Sequence, residues 1–321
     1  MKFVIVGAGA LGSILGAQLI AAGHSVAMLA RGARAAALRR DGIRLRGLVD
    51  TQTACVVEED PKAIKTADVV IFAVKTLTHE AAAQSLAHLQ VDMALSVANG
   101  VIKNQQLVEA FGPEHVLGCM ADVSGELESD GRVLFTRNMC LAIGELDDRS
   151  TARCEALAGA LNASGINAAI ATDIRSVEWS KFVGWCPFMG LSVLSRAVSA
   201  EFLSDPDHAA VLVVAVREMF SLASAQGIEI EGRSPLPVNA IASGTLADGV
   251  ACVLQVGARL REHAPQHRMS ALQDLERGTP LEVEATLGHA VALGRQHNLE
   301  MPTMTTLYHL VAGVDRQNRR P

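Results

Sequence analysis

Residues 1–31 read MKFVIVGAGALGSILGAQLIAAGHSVAMLAR, and this stretch decides the fold class. It opens with a short apolar strand and continues as an apolar helix expected from about Ala10 to Ala22. Between the two, Gly7, Gly9 and Gly12 stand at GxGxxG spacing. Because the motif directly follows a strand and directly precedes a helix, it predicts a dinucleotide-binding unit rather than an ordinary strand-to-helix turn.

Each glycine of this motif has a separate physical task. The first makes the tight turn, the second lets the backbone approach a pyrophosphate, and the third lets the helix pack closely on the strand. The helix N-terminus then directs its N–H groups and partial positive charge at the phosphates. The predicted cofactor-binding residues of this turn are Gly7, Gly9, Ala10, Leu11 and Gly12.

The second strand, expected from Ser25 to Ala30, ends where an acid would hold the ribose 2′-hydroxyl of NAD. No Asp or Glu occurs between Gly12 and Asp41. An arginine fork at the strand end suits a 2′-phosphate instead, so the expected cofactor is NADPH. The alternative, a solvated basic helix face, suits the last two arginines of the stretch better than the first. The four arginines are Arg31, Arg34, Arg39 and Arg40.

The composition is that of a globular enzyme. With 321 residues the chain suggests two domains, and 50% hydrophobic with 19% charged residues excludes a disordered chain. The net charge of −6 gives no general attraction for nucleic acid, so no nucleic-acid partner is expected.

The six cysteines lack CxxC pairs and histidines at metal-ligand spacing, so neither a metal site nor a disulfide framework is expected. The N-terminus leads straight into a strand, and no run of 18 apolar residues occurs. We therefore expect a cytoplasmic protein with no membrane partner.

Strand and helix signals alternate through the first half. Apolar runs at 68–74 and 94–98 predict buried strands, with a helix starting near Thr78 between them. Residues 116–144 carry short β runs around an SDG turn, as in a hairpin or meander, and 150–172 resemble a final αβ unit. This alternation predicts a parallel sheet with crossover helices, that is, an α/β Rossmann-type domain.

The strand signal ends at Asp173, and alanine- and leucine-rich helical stretches follow. We therefore expect residues 1–173 to form an NADP-binding Rossmann domain and 174–321 an all-α substrate and catalytic domain. The three clearest helical stretches are 177–195, 208–226 and 281–297.

Two polar residues follow the predicted strands of the first half. Lys75 ends the first apolar run, and Asn99 ends the second. Because open α/β sheets bind ligands outside the carboxyl ends of their strands, both are expected to face the cofactor. The alternatives are a surface strand cap for Lys75 and turn chemistry with Gly100 for Asn99.

The helical half holds few candidates for chemistry. Lys181 lies in the nearly uncharged EWSKFVGWCPFMG, where burial would lower its pKa and suit a general acid; pairing with Glu178 is the alternative. Glu282 begins another helical stretch, where either it or Glu284 is also explained by the helix dipole. Ser270 is equally consistent with a helix N-cap.

The order of several segments resembles the ketopantoate reductase (2-dehydropantoate 2-reductase) family over nearly the full chain. That family joins an N-terminal Rossmann domain to a helical domain and reduces ketopantoate to pantoate with NADPH, on the route to pantothenate. The segments are GAGALG at 7–12, VK at 74–75, ANG at 98–100, FGPEHVLGCMADVSGELESDGRV at 111–133, WSK at 179–181, SALQDLERGTPLEVE at 270–284 and LGRQHNLEMPT at 293–303.

The resemblance assigns roles on the cofactor side. It implies that the three glycines form the pyrophosphate turn, and that Arg31 and Lys75 contact the cofactor phosphates. It also implies that Asn99 lies between the nicotinamide and the substrate, where it contacts both.

The resemblance further implies that Lys181 is the catalytic lysine, which protonates or polarises the keto oxygen. Glu282 matches the acid of the family's T-E-I-D segment, written L-E-V-E here, and would orient the lysine or bind a substrate hydroxyl. Ser270 matches the serine that receives the substrate carboxylate.

The chain departs from the family at three substrate positions. Four and eight residues after the lysine, where the family commonly carries asparagines, stand Trp185 and Met189, and His267 stands where an amide is expected. A site that has lost hydrogen-bonding groups for a hydroxyl is expected to bind a hydroxylated substrate less well.

We therefore expect NADPH-dependent reduction of ketopantoate, with two alternatives. One is a paralogue that reduces a different 2-oxo acid or an imine, and the other is an NADPH-sensing module without turnover. The apolar helices of the second half are compatible with a homodimer.

Overall fold

The computed structural model describes residues 1–232, 234 and 236–319, and the chain divides into two units, Met1–Arg175 and Ser176–Pro321. The first unit contains ten strands and five α-helices. The strands are β1 (Lys2–Val6), β2 (Ser25–Leu29), β3 (Ile43–Gly47), β4 (Thr51–Thr53), β5 (Val56–Glu58), β6 (Thr66–Phe72), β7 (Gln90–Ser96), β8 (Leu117–Leu127), β9 (Val133–Glu145) and β10 (Ala168–Ile170). The helices are α1 (Ala10–Ala21), α2 (Gly32–Asp41), α3 (Thr76–Ser85), α4 (Lys103–Phe111) and α5 (Ala152–Ala163).

A five-stranded parallel sheet in the order β5-β2-β1-β6-β7 forms the centre of this unit. Val4 of β1 pairs with Ala27 of β2 on one side and Val70 of β6 on the other. The chain thus moves outward from β1 in both directions, which creates a topological switch point at the carboxyl end of β1. Phe3, Val4 and Ile5 are fully buried, as in a parallel sheet with both faces covered. The predicted Rossmann-type fold is confirmed.

A second sheet has the order β10-β9-β3-β4, with β8 also paired to β9. The long antiparallel pair β8 and β9 confirms the predicted hairpin, and at two register shifts β9 carries an extra residue, Met139 and Thr136, which bends that strand. The short strands β3, β4 and β5 were not predicted. In β3 the sequence IRLRG alternates between apolar residues and arginines, with Ile43 and Leu45 buried. Five residues are too few for this alternation to predict a strand.

The ends of two core strands differ from prediction. β6 ends at Phe72, so Lys75 stands three residues later, immediately before α3, and β7 ends at Ser96, three residues before Asn99. The chain leaves the sheet gradually, since the Ala73 N–H still donates to the Val6 carbonyl at 2.8 Å. Both side chains therefore belong to the loops beyond the strands.

The described residues of the second unit form helices and connecting loops without a strand, which confirms the predicted all-α class. α8 packs against α9, α10, α12 and α13 and supplies much of the core. The helices are α6 (Ile174–Ser195), α7 (Ser199–Phe202), α8 (Pro206–Ala225), α9 (Val238–Ala242), α10 (Leu246–His263), α11 (Ser270–Glu276), α12 (His289–Gln296) and α13 (Pro302–Asn318).

The helix predicted over 281–297 begins at Glu284 and opens with a widened turn. Residues Glu284–Gly288 form a π-helical turn, and α12 follows from His289. The Gly288 N–H donates to the Val283 carbonyl, five residues back, at 2.9 Å. Such a widened turn shifts the following residues around the helix axis and is frequent at functional sites.

One helix of the described residues, α8, is long and apolar enough by composition to cross a membrane, with a mean hydropathy of 1.4. Its packing against four other helices is that of a core helix, and a core helix can be equally long and apolar. The feature is therefore weak support for a membrane span.

Candidate active site

The glycine turn after β1 uses each of its three glycines differently. Gly7 has φ +98°, and a Cβ there would lie 2.6 Å from Val74 Cγ1. A Cβ on Gly12 would lie 2.0 Å from the Gly7 carbonyl oxygen, so the helix approaches the turn too closely for any side chain. Gly9 differs, because a Cβ there would meet nothing within 4 Å of the described atoms. The space beside Gly9 is thus open to a ligand.

The N-terminus of α1 faces this space without a cap. Gly9 occupies the N-cap position, where no side chain accepts a hydrogen bond, and the first turn holds no acid. The Ser13 N–H makes the first helical bond, to the Gly9 carbonyl at 3.0 Å. The earlier N–H groups of Ala10, Leu11 and Gly12 therefore have no helical acceptor. Open space, uncapped donors and a positive helix end together fit the pyrophosphate of a dinucleotide.

Arg34 fixes the glycine turn from behind, a role that the sequence analysis missed. Its guanidinium donates to the Ala8 carbonyl at 2.8 Å, the Ser13 hydroxyl at 2.9 Å and the Gly131 carbonyl at 2.9 Å. Burial lowers the pKa of Arg34. Because the third contact lies 97 residues away at the tip of the β8–β9 hairpin, no local pattern could have revealed it.

The other three arginines of this stretch have different surroundings. Arg31 directly precedes α2 with its side chain exposed, and its guanidinium makes no hydrogen bond within the described part of the chain. Arg39 pairs with Glu59, and Arg40 pairs with Asp41. Arg31 alone among the three is therefore available to a phosphate.

Lys75 and Asn99 lie in loops at the same edge of the sheet as the glycine turn. Lys75 is exposed at the N-cap position of α3, and its carbonyl accepts from the Thr78 N–H at 3.0 Å. Asn99 is half-buried just beyond β7. Because β1, β6 and β7 are adjacent parallel strands, the three loops are neighbours at their carboxyl ends.

A buried histidine forms hydrogen bonds that support these loops. His79 of α3 is 0% exposed and contacts the Ser96 hydroxyl through Nε2 and Gln106 Oε1 through Nδ1, each at 2.8 Å. The Ser96 hydroxyl also accepts from the Ala98 N–H at 3.2 Å, next to Asn99. Burial lowers the pKa of His79 to about 4, so its ring is neutral near pH 7.

Lys103 braces the same loop from α4. The side chain is 3% exposed, and its ammonium donates to the Ala98 carbonyl at 2.9 Å and the Cys119 carbonyl at 2.5 Å. Sequence reasoning missed both His79 and Lys103, because each has a partner on a separate strand, Ser96 on β7 and Cys119 on β8. Together they fix the backbone that carries Asn99.

In the second unit, α6 carries Lys181, Trp185 and Met189 at four-residue spacing, so the three lie on one side of the helix. Lys181 and Trp185 are half-buried, whereas Met189 is 1% exposed. Beside Lys181 the helix is closely covered, since a Cβ on Gly184 would lie 2.7 Å from Val238 Cγ1.

The backbone around Glu282 is fixed on both sides. The Leu281 N–H donates to Asp315 Oδ1 at 2.8 Å, and the Thr286 hydroxyl donates to the Glu282 carbonyl at 2.6 Å. Glu282 precedes the π-helical turn by two residues, so it does not begin a helix as expected. Its half-buried side chain is thereby held in place by the chain on either side.

Glu284, the alternative acid, has a structural partner. The Tyr308 hydroxyl contacts both of its carboxylate oxygens, at 3.0 and 3.3 Å. The contact with this carboxylate raises the pKa of Tyr308. The Glu284 carboxylate is therefore engaged with Tyr308 of α13.

Ser270 is not an N-cap. It is the first residue of α11, and Met269 occupies the N-cap position without a capping side chain. The capping interpretation was wrong by one residue, because local sequence does not fix where the first helical turn closes. Ser270 is exposed, as a substrate-binding hydroxyl requires.

His267 is tied to Ser199 by two contacts. Its Nδ1 lies 2.9 Å from the Ser199 hydroxyl, and its carbonyl accepts from the Ser199 N–H at 2.9 Å. These contacts fix the loop that precedes α11 and orient the imidazole through one nitrogen.

The candidate residues thus fall into two groups, one in each unit. The cofactor residues surround the carboxyl edge of one parallel sheet in the first unit. In the second unit the π-helical turn that follows Glu282 contacts α6, where Leu287 faces Gly190, nine residues after Lys181. Within the described residues no cluster of three His, Cys, Asp or Glu side chains could hold a metal ion.

Comparisons with known proteins match both units. The family model described as Ketopantoate reductase PanE/ApbA matches residues 3–148, and the one described as Ketopantoate reductase PanE/ApbA C terminal matches 173–315. The chain is similar to the 2-dehydropantoate 2-reductase of Archaeoglobus fulgidus, with 28% identity over 97% of each chain.

Solved structures are similar over the full length. A PanE/ApbA family ketopantoate reductase from Ralstonia eutropha JMP134 has a TM-score of 0.84 and 25% identity, with both chains covered to 100%. D-mandelate dehydrogenase, solved with NADH and anilino(oxo)acetate, has a TM-score of 0.87 at 20% identity, again with 100% of both chains covered. The latter likeness concerns the fold alone.

Gly9→Ala tests the open space in the glycine turn. The added methyl group meets no protein atom, so the free protein should keep its melting temperature, while the methyl occupies the approach of the pyrophosphate and weakens dinucleotide binding by about tenfold or more. Differential scanning fluorimetry and NADPH fluorescence titration measure the two effects. Gly159→Ala is the matched control, since its Cβ also meets nothing within 4 Å. Equal NADPH affinities for both variants would contradict the assignment.

Proposed function

Because the chain belongs to the ketopantoate reductase family of oxidoreductases, we propose that it reduces 2-dehydropantoate (ketopantoate) to pantoate with NADPH. The relative from Archaeoglobus fulgidus, named 2-dehydropantoate 2-reductase, supports the substrate. The observation that carries the cofactor part is the uncapped glycine turn, with exposed Arg31 beyond the end of the adjacent strand β2. Residues 1–173 are the NADP-binding domain in this proposal, and 174–321 are the substrate and catalytic domain.

The chemistry is hydride transfer to the C2 carbonyl carbon, and NADPH supplies the hydride when bound. As negative charge develops on the carbonyl oxygen, the Lys181 ammonium donates its proton to that atom. A preorganised cation at a developing alkoxide is a large catalytic contribution. Glu282, fixed through its backbone, orients Lys181 or accepts a hydrogen bond from the substrate hydroxyl.

The remaining candidates hold the two ligands. The glycine turn and the α1 N-terminus bind the pyrophosphate, and Arg31 and Lys75 bind further phosphate oxygens. Asn99 lies between the nicotinamide and the substrate, and Ser270 receives the substrate carboxylate. His267, Trp185 and Met189 complete the substrate side.

The proposal also includes surroundings and assembly. We place the enzyme in the cytoplasm, where its six free cysteines stay reduced, with a small 2-oxo acid as its partner and a homodimer as its assembly. Neither nucleic acid nor membrane takes part in the reaction.

A second candidate is reduction of a different 2-oxo acid or an imine. Trp185 and Met189 favour it, because they place bulky apolar side chains at positions where the family commonly carries amides. D-mandelate dehydrogenase shows that this fold accommodates another substrate. NADPH sensing without turnover is the third candidate, and steady oxidation of NADPH by any 2-oxo acid removes it.

A substrate panel distinguishes these functions. NADPH absorbance is followed with ketopantoate, unsubstituted branched 2-oxo acids, phenylglyoxylate and a cyclic imine. We expect ketopantoate to have the highest kcat/KM, since its family matches both units. A clearly higher kcat/KM for an aromatic or purely aliphatic 2-oxo acid would establish the second candidate instead.

Lys181→Ala tests the proton donor. Removal of a general acid should lower kcat by about 10²-fold or more while NADPH still binds, because binding depends on the other unit. Stopped-flow single turnovers give the rate, and fluorescence titration gives the affinity. Lys65→Ala, an exposed lysine at the opposite edge of the sheet, is the control. Near-normal turnover of the Lys181 variant would overturn the assignment.

Arg31→Ala tests the 2′-phosphate contact. Loss of a charge-assisted hydrogen bond should weaken NADPH binding about 10- to 100-fold and leave NADH within about threefold. Both Kd values are measured by fluorescence titration. Arg40→Ala, which removes an exposed arginine near the end of α2 that is paired with Asp41, is the matched control. Equal losses for both nicotinamides would contradict the role of Arg31.

A further inference from the structure

An acid stands at the end of β2 although the sequence around β2 contains none. β5 runs parallel to β2, with Glu58 opposite Leu29, and the Ala30 N–H donates to the Glu58 carbonyl at 3.0 Å. This register carries Glu59, the residue directly after the edge strand, to the start of α2. The acid that the stretch from Gly12 to Asp41 lacks is thus supplied by a neighbouring strand.

The Glu59 carboxylate accepts hydrogen bonds from a donor at the start of α2 and from one near its end. Its Oε2 accepts from the Gly32 N–H at 3.3 Å, and its Oε1 accepts from the Arg39 guanidinium. Arg39 is itself anchored, since its other terminal nitrogen donates to the Val57 carbonyl at 3.2 Å. The hydrogen bond from Arg39 lowers the pKa of Glu59, so the carboxylate is ionised near pH 7.

These contacts disfavour binding of a ribose 2′-phosphate and favour binding of a ribose 2′-hydroxyl. The Gly32 N–H, the Arg39 guanidinium and the adjacent Arg31 are the groups that a 2′-phosphate would use. With Glu59 in place, two of them are already satisfied, and a dianionic phosphate would meet a like charge. A ribose 2′-hydroxyl would instead donate to the carboxylate, as it does to the acid at this strand end in NAD-binding folds.

We infer that Glu59 is a specificity-determining residue, which weakens binding of the 2′-phosphate and shifts the enzyme towards NADH, against the contribution of Arg31. The inference rests on the proposed function in that a nicotinamide dinucleotide binds at the glycine turn. Arg39 is a positioning residue for Glu59. Neither residue needs to touch the reacting atoms, so the effect concerns binding rather than the chemical step.

The test compares Glu59→Gln with Glu109→Gln, which removes an exposed carboxylate near the end of α4, the helix that follows β7. The amide introduced by Glu59→Gln keeps an acceptor for the Gly32 N–H and removes the charge, so the fold is retained. We expect the Kd of NADPH to fall about tenfold, the effect of one like charge near a protein surface, with NADH within about threefold. Glu59→Ala also frees the Gly32 N–H and the Arg39 guanidinium, and it should lower the Kd of NADPH at least as much. The control should change neither value.

Fragments separate the 2′ group from the rest of the cofactor. Calorimetric titration of adenosine 2′,5′-bisphosphate and of 5′-AMP should show the gain in the Glu59 variants for the bisphosphate only. An unchanged ratio of NADPH to NADH affinity in both variants, or an equal gain with 5′-AMP, overturns the role of Glu59.

The outcomes also separate this inference from the proposed function. If wild-type protein binds neither nicotinamide, the proposed function fails before Glu59 is tested. If both bind and the Glu59 variants keep the wild-type ratio, the role of Glu59 fails while the reductase assignment stands. A melting temperature equal to that of wild type shows that either result concerns the site and not the fold.

Discussion

The close approach of α1 to the glycine turn is the constraint on which the first unit depends. At Gly12 the helix lies so near the Gly7 carbonyl that a methyl group would overlap it. This contact sets the start of α1 and thereby aims its first N–H groups beyond the end of β1. The parallel neighbours of β1 then bring the loops with Lys75 and Asn99 to the same edge, where buried His79 and Lys103 fix them from behind.

The parts of the site that were predictable from sequence are local. The strand, turn and helix of the first 31 residues specify one another through neighbouring residues, so the spacing of three glycines was enough to predict both element order and ligand class. The helical stretch predicted over 177–195 from its composition likewise placed Lys181 on a helix, which is α6. Its assignment as the proton donor came from the family resemblance, since a half-buried lysine alone has several explanations.

The parts that were not predictable depend on contacts between distant segments. Glu59 reaches the end of β2 only because β5 pairs with that strand, and the three-residue β5 has no clear periodicity. The different surroundings of Glu282 and Glu284 follow from Asp315 and Tyr308, both on α13. The first helical residue at Ser270 shows the usual uncertainty of one residue at helix ends.

Arg34 has a consequence for how this chain can vary. Its planar guanidinium joins three chain segments, the glycine turn, the first turn of α1 and the tip of the β8–β9 hairpin, a geometry that lysine does not reproduce. Surface hairpin tips ordinarily accept insertions and deletions with little effect on function. In this protein the hairpin tip and the glycine turn share Arg34 as a hydrogen-bond donor, so a change in the length of the hairpin would also disturb the turn.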